Sequence, residues 1–192
     1  MKPVLYVCTW AESSLSPPLA DFLPTHRLAA LERMAPARRE QSARAEILLR
    51  QALSECFGPP QREISITRTD AGRPVCPLCA VSLSHTDGAA AALLSDANCG
   101  VDIERLRAPR LRAGWHSFTT EEYAWMLENV QARFWEMWTK KEALGKALGV
   151  PLLRLGDLES AQYADQLHVF QLSGLILAAY APERPELILR AL

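Results

Sequence analysis

The sequence predicts an α+β fold built on antiparallel sheet rather than on alternating βαβ units. Three observations predict it: a helical apolar period from Arg38 to Phe57, a second from Arg133 to Leu148, and short apolar runs separated by turn residues around 80–104 and 168–180. Each half thus combines a helix with a hairpin, which points to a duplication about residue 100.

Taken in order, Val4 to Val7 reads as a first strand followed by a polar loop. In the first long helix Ala45, Leu48, Leu49, Ala52, Leu53 and Cys56 recur at helical spacing, and Gly58-Pro59-Pro60 ends it. Ile64 and Ile66 alternate with polar neighbours as a short strand, and Asp70-Ala71-Gly72-Arg73-Pro74 is turn sequence. Ala80 to Ser84 and Ala89 to Leu94 are apolar enough for buried strands. The turn at Ser95-Asp96-Ala97-Asn98 leads into Gly100 to Glu104, and the spacing predicts a hairpin across it. Thr119 to Asn129 and Arg133 to Leu148 read as helices. His168 to Leu172 and Leu175 to Tyr180, joined at Ser173-Gly174, make a last hairpin.

At 192 residues the chain can form one domain or two small lobes sharing a core. A hydrophobic fraction of 49% with 22% charged residues is globular composition, which sets disorder aside. A formal net charge of −1 gives no global basic excess, so neither nucleic acid nor a membrane surface is expected as partner. The basic residues are uneven, however, and Arg38, Arg39, Arg44 and Arg50 form a local patch able to meet phosphates. The N-terminal residues lack the apolar core of an export signal, and no run reaches the ~18 apolar residues of a membrane span. A cytoplasmic location is expected. The odd count of five cysteines argues against a disulfide framework. Cys76-Pro77-Leu78-Cys79 has half the spacing of a zinc site, with no second pair to complete it. Reduced, partly buried cysteines are expected.

Three groups of residues carry chemistry. Asp102 and Glu104 are two apart on a strand, so both carboxylates share one face while Val101 and Ile103 take the other. Two convergent carboxylates suit a hard cation such as Mg²⁺; the alternative is a solvated edge carrying two acids. In the second long helix Phe134, Met137, Trp138, Leu144 and Leu148 form the core stripe. Glu142 and Lys146 lie one turn apart on another face, either flanking one point of a site or making a surface ion pair. Ser84 and His85, with Arg73, could grip a phosphate through charge-assisted hydrogen bonds. Adjacent strand residues face opposite ways, so Ser84 and His85 do not make a nucleophile–base pair.

Gly72-Arg73-Pro74, Leu83-Ser84-His85-Thr86, Gly100-Val101-Asp102-Ile103-Glu104, Phe118-Thr119-x-x-Glu122 and Trp138-Thr139-Lys140-Lys141-Glu142-Ala143-x-x-Lys146, in that order, resemble the 4′-phosphopantetheinyl transferases. The resemblance is to the pseudodimeric single-chain branch that includes the surfactin-synthetase activator, in a shortened form. It implies two similar α+β lobes, 1–99 and 100–192, with coenzyme A in the cleft between them. It further implies an acyl or peptidyl carrier protein as acceptor, and Mg²⁺ or Mn²⁺ on Asp102, Glu104 and Glu142. By the same resemblance Lys146 stands near the pyrophosphate, while Arg73, Ser84 and His85 contact the 3′-phosphate and adenosine end. Arg44 is similar to a coenzyme A-binding arginine. Asp102, Glu142 and Lys146 would be catalytic, and a monomer is expected.

Overall fold

The computed structural model describes residues 1–11, 18–109 and 115–191. Strand β1 (Val4–Thr9) leads through the polar loop, of which residues 12–17 lie outside the described residues, to helices α1 (Leu19–Phe22), α2 (Thr25–Glu32) and α3 (Pro36–Phe57). The short strands β2 (Thr67–Arg68) and β3 (Pro74–Val75) bracket the Asp70–Arg73 turn. Then come β4 (Ala80–Thr86), β5 (Ala89–Ser95) and β6 (Gly100–Arg105). Helices α4 (Thr120–Leu127) and α5 (Val130–Leu148) follow, and β7 (Leu167–Leu172), β8 (Leu175–Tyr180) and β9 (Glu186–Ala191) close the chain.

Among the described residues the strands form one sheet in the order β4-β5-β1-β9, a second in the order β6-β8-β7, and the small β2-β3 pair. The larger sheets are antiparallel apart from one pair: β9 returns to lie parallel to β1, in register from Val4 with Glu186 to Thr9 with Ala191. The alternating residues of β1 and β5 divide the core. Tyr6, Cys8, Ala90, Ala92 and Leu94 pack on Ala45, Leu48, Leu49, Ala52 and Leu53 of α3. Leu5, Val7, Ala89, Ala91 and Leu93 pack on Val101 and Ile103 of β6 and on Leu175, Leu177 and Ala179 of β8. The outer face of the second sheet meets α4 and α5 through Ile176, Met126, Phe134, Trp135 and Met137. The layers therefore run helix, sheet, sheet, helix. β5 is buried along its whole length, which explains its unbroken apolar run.

The antiparallel α+β class predicted from the sequence is the class observed, and the apolar spacing of α3 matches its buried face. One pairing differs. The hairpin lies across Asp87-Gly88 between β4 and β5, whereas Gly100–Arg105 leaves for the second sheet and pairs with β8. Both edges of β5 are taken, by β4 and β1, so β6 has no edge of it left to join. Leu148, placed in the α5 core stripe by spacing, is exposed at the helix end. All five cysteines are free thiols, and burial pushes those of Cys8, Cys79 and Cys99 up to about 12. No described helix is long and apolar enough to cross a membrane.

The site depends on α5 lying directly against the first residue of β6. A Cβ on Gly100 would stand 1.9 Å from the Ala143 carbonyl oxygen and 2.8 Å from the Ala147 nitrogen. Backbone atoms of a packed helix cannot swing aside as a side chain end can. Gly100→Ala is therefore expected to cost on the order of 3 kcal/mol, lowering the thermal midpoint by roughly 10 °C. Calorimetry of the purified variant checks this, and an unchanged midpoint would contradict the close approach.

Candidate active site

The alternation of β4 turns Ser82, Ser84 and Thr86 to one side, and all three meet β6. Val101 N–H donates to Ser82 Oγ at 3.0 Å, Ser84 Oγ donates to Asp102 Oδ1 at 2.7 Å, and Thr86 Oγ1 donates to Glu104 Oε2 at 3.3 Å. Lys146, reaching in from α5, donates to the same Asp102 oxygen at 2.7 Å, to Ser84 Oγ at 3.1 Å and to the Val101 carbonyl at 3.0 Å. Asp102 is only 4% exposed, so a solvated edge does not describe it. Its second oxygen, Oδ2, is buried without a hydrogen-bond partner. An unpaired buried carboxylate oxygen is costly unless something positive complements it.

Glu104 and Glu142 feel the same crowding. Burial, then the Asp102 charge, pushes the Glu104 carboxyl up to about 7, against the pull of Arg107, Thr86 and Lys146. Glu142 is likewise pushed up to about 7, by burial first and then by Asp102, with Glu104 adding to it and Lys146 opposing. The three carboxylates thus lie within one another's fields, although among the described residues no three acid, histidine or cysteine groups are already gathered as a metal cage.

Two cavities flank this cluster. One, of about 460 Å³, is lined by Glu142, Lys146, Arg73 and the Gly149–Leu152 segment. The other, of about 430 Å³, is lined by Arg27, Arg38, Arg68, Arg73, His85 and Lys146 among others. Arg73 and Lys146 belong to both. The Arg73 guanidinium crosses the gap to α5, where a Cβ on Gly149 would stand 3.3 Å from its Nη1. His85 faces Ser42, with Nε2 and Oγ 3.5 Å apart, and its Nδ1 is buried without a hydrogen-bond partner. Burial, then the charges of Lys146 and Arg38, holds the imidazole below its ordinary value.

Of the residues singled out in the sequence, Asp102, Lys146 and Ser84 are in direct contact, and Glu104 and Glu142 lie beside them. Arg73 and His85 share the cationic cavity. Ser84 and His85 do face opposite ways, which leaves Ser84 with the carboxylates rather than with His85. Lys146 pairs with Asp102, so its bond runs across to β6 rather than along the helix to Glu142. Arg44 does not join the cavity lining: it is fully buried, paired with Glu40 at 3.0 Å and stacked over Trp10 at 5.2 Å. Arg50 is buried against Glu46, and Arg39 donates to the Glu32 and Met34 carbonyls. Of the four patch arginines, Arg38 alone lines the cavity.

Spacing alone did not show that Arg27 and Arg68 would join it, since folding of distant segments brings them there. The Ser82, Ser84, Thr86 alternation was readable but had no visible partner. Lys141 is another such case: it is fully buried, 2.7 Å from Glu122 Oε2, and also donates to the Leu158 carbonyl. Glu122 in turn accepts from Thr119 N at 2.9 Å and from Ser160 N at 2.8 Å, so this pair locks α4, α5 and the 158–160 segment together. Removing one partner of such a buried pair costs about 3–5 kcal/mol.

The carboxylate crowding has a thermodynamic signature. In the fold Glu104 and Glu142 hold their protons to about pH 7, whereas their ordinary value is 4.5. Between those values the folded state binds more protons than the unfolded chain, so this stabilisation is lost as pH rises through the window. Without divalent cations, Glu142→Gln should therefore raise the thermal midpoint at about pH 7.5 by on the order of 3 °C and leave it nearly unchanged at about pH 5. A variant less stable than the wild type at the higher pH would contradict the crowding.

Residues 98–176 match the family model of the 4′-phosphopantetheinyl transferase superfamily. The chain is similar to the 4′-phosphopantetheinyl transferase gsp of Aneurinibacillus migulanus, with 28% identity over 114 residues covering 57% of this chain and 48% of that protein. It is also similar to the 4′-phosphopantetheinyl transferase psf-1 of Bacillus pumilus, with 30% identity over 141 residues covering 68% of this chain and 60% of that protein. The match thus spans between about half and three fifths of these relatives' lengths. Residues 98–176 contain Asp102, Glu104, Glu142 and Lys146, so all four lie inside the segment that matches the 4′-phosphopantetheinyl transferase superfamily.

Proposed function

We propose that the chain transfers the phosphopantetheine arm of coenzyme A to a serine of an apo acyl or peptidyl carrier protein, releasing adenosine 3′,5′-bisphosphate. The single observation that carries this reading is Lys146: it lines a cationic cavity on one side, a cavity containing Glu142 on the other, and bonds Asp102 between them. A polyanionic donor suits the first cavity and an incoming hydroxyl needs a base in the second. In this reading residues 1–99 supply the contacts to the 3′-phosphate and adenosine, 100–192 supply the carboxylates, and the protein acts as a cytoplasmic monomer.

The donor set fits a hard divalent cation, because Asp102 Oδ2 is a buried carboxylate oxygen lacking a hydrogen-bond partner and Glu104 and Glu142 lie in its field. Asp102, Glu104 and Glu142 would hold Mg²⁺ or Mn²⁺, which would supply positive charge to the pyrophosphate. The remaining steps belong to the chain. Arg73 and His85 hold the 3′-phosphate end by charge-assisted hydrogen bonds. Glu142, whose carboxyl titrates near neutrality, takes the proton from the carrier serine. The serine oxygen bonds to the β-phosphorus as the bond from that phosphorus to the bridging oxygen breaks. Lys146 offsets the charge that gathers on the departing 3′,5′-bisphosphate.

Intact mass spectrometry of apo-carriers incubated with the protein, coenzyme A and Mg²⁺ tests the reading. The expected result is a gain of one phosphopantetheine. Glu142→Gln and Lys146→Ala should each lower kcat by a factor on the order of 10², and the double variant should fall far short of the product because both act on one step. Single variants within a few-fold of wild type would return the pair to a structural role. Free phosphopantetheine released without acceptor would point instead to hydrolysis.

A further inference from the structure

Behind the wall of the cationic cavity lies a carboxylate that does not line it. Glu46 on α3 is 2% exposed and meets three arginines from three segments. Its Oε2 accepts from Arg27 Nε on α2 and from Arg68 Nη2 on β2, the latter at 2.9 Å. Its Oε1 accepts from Arg50 Nε at 3.3 Å and Nη2 at 3.2 Å. Arg50 carries the connection onward, donating from Nη1 to the Gln61 and Ile64 carbonyls, each at 2.9 Å. Arg68 donates from Nη1 to the Gly72 carbonyl at 2.9 Å. That carbonyl is in the turn that ends on Arg73, and the turn is closed by Gly72 N to Thr69 O at 2.8 Å and Thr69 N to Arg73 O at 3.0 Å.

Arg27, Arg68, Gly72 and Arg73 all line the cavity. Like charges crowd one another, and two guanidiniums on one wall would spread apart if nothing negative stood between them. Glu46 is that negative group, and its own carboxyl is held below the ordinary value: burial works to raise it, but Arg27, Arg68 and Arg50 outweigh burial. Arginine side chains are also costly to immobilise, so a fork already fixed by a buried carboxylate loses less freedom when an anion arrives.

We infer that Glu46 is a positioning residue for the phosphate-bearing donor: it fixes Arg27 and Arg68 in the cavity wall and, through the Arg68 bond to the Gly72 carbonyl, aims the turn that presents Arg73. This rests on the donor-binding reading above. Glu46 touches neither the donor nor the reacting atoms, so its loss acts on donor affinity and leaves the chemical step alone.

Glu46→Gln keeps the shape and removes the charge. Its KM for coenzyme A should rise by about tenfold with kcat at saturating donor within about twofold of wild type, since only binding common to ground and transition states is lost. Calorimetric affinity for adenosine 3′,5′-bisphosphate should weaken by a similar factor, and the KM for the carrier should not move. Arg68→Met, at a partly exposed side chain, tests the same link if the glutamine variant does not fold. It should weaken the bisphosphate equally, and in a foldable double variant the two losses should be less than additive. Affinity and KM for both donor ligands within twofold of wild type, or a fall in kcat at unchanged KM, would overturn the inference. If wild type itself binds neither coenzyme A nor the bisphosphate, the donor reading fails and this inference falls with it. Wild-type binding with unchanged variants overturns the positioning role alone.

Discussion

The Lys146 ammonium is the contact on which the rest of the site depends. It takes its acceptors from β4 and from β6, which lie in separate sheets, and comes itself from the helix packed on the second. The three donor positions of the ammonium find Ser84, Val101 and Asp102, so it is satisfied as well as charged. This arrangement requires α5 to lie against Gly100, and the absence of a Cβ there is what permits it. Sequence, packing and electrostatics converge at one point: a glycine lets the helix in, the helix delivers the lysine, and the lysine holds one oxygen of a buried aspartate.

That aspartate leaves the site incomplete by itself. Its other oxygen has no hydrogen-bond partner, and two further carboxyls are held up near neutrality by burial and by its charge. Such a cluster lowers the stability of the fold at neutral pH, and a site of this kind is understandable where a positive partner and a reaction compensate for it. The surroundings have the opposite sign. The cationic cavity next door is lined by four arginines, Lys146 and His85, with the carboxylate that pairs with Arg27 and Arg68 kept out of its lining.

Much of this was legible in the sequence because it depends on local periods. The two-residue repeat of Asp102 and Glu104 against Val101 and Ile103 fixed their faces, and the observed strand keeps them. The helical period separated Glu142 and Lys146 from the aromatic core stripe. What could not be read were partners set by topology. The strand holding Asp102 pairs with β8 because both edges of β5 are occupied, and nothing in the Ser95–Asn98 turn reveals that. Arginine clustering along α3 looked like a phosphate patch, yet Arg44 and Arg50 are spent on Glu40, Trp10 and Glu46. The guanidiniums of Arg27 and Arg68 reach the cavity from 41 residues apart, a juxtaposition only the fold provides.

The central claim is that Asp102, Glu104 and Glu142 form the cation-binding half of a centre whose other half is the cationic cavity. Anomalous diffraction from crystals grown with Mn²⁺ and coenzyme A tests it most directly. The account predicts one strong Mn²⁺ peak ringed by these three carboxylates, with the nucleotide end of the donor against Arg73 and His85. A donor bound elsewhere, or a manganese peak remote from Asp102, would contradict it.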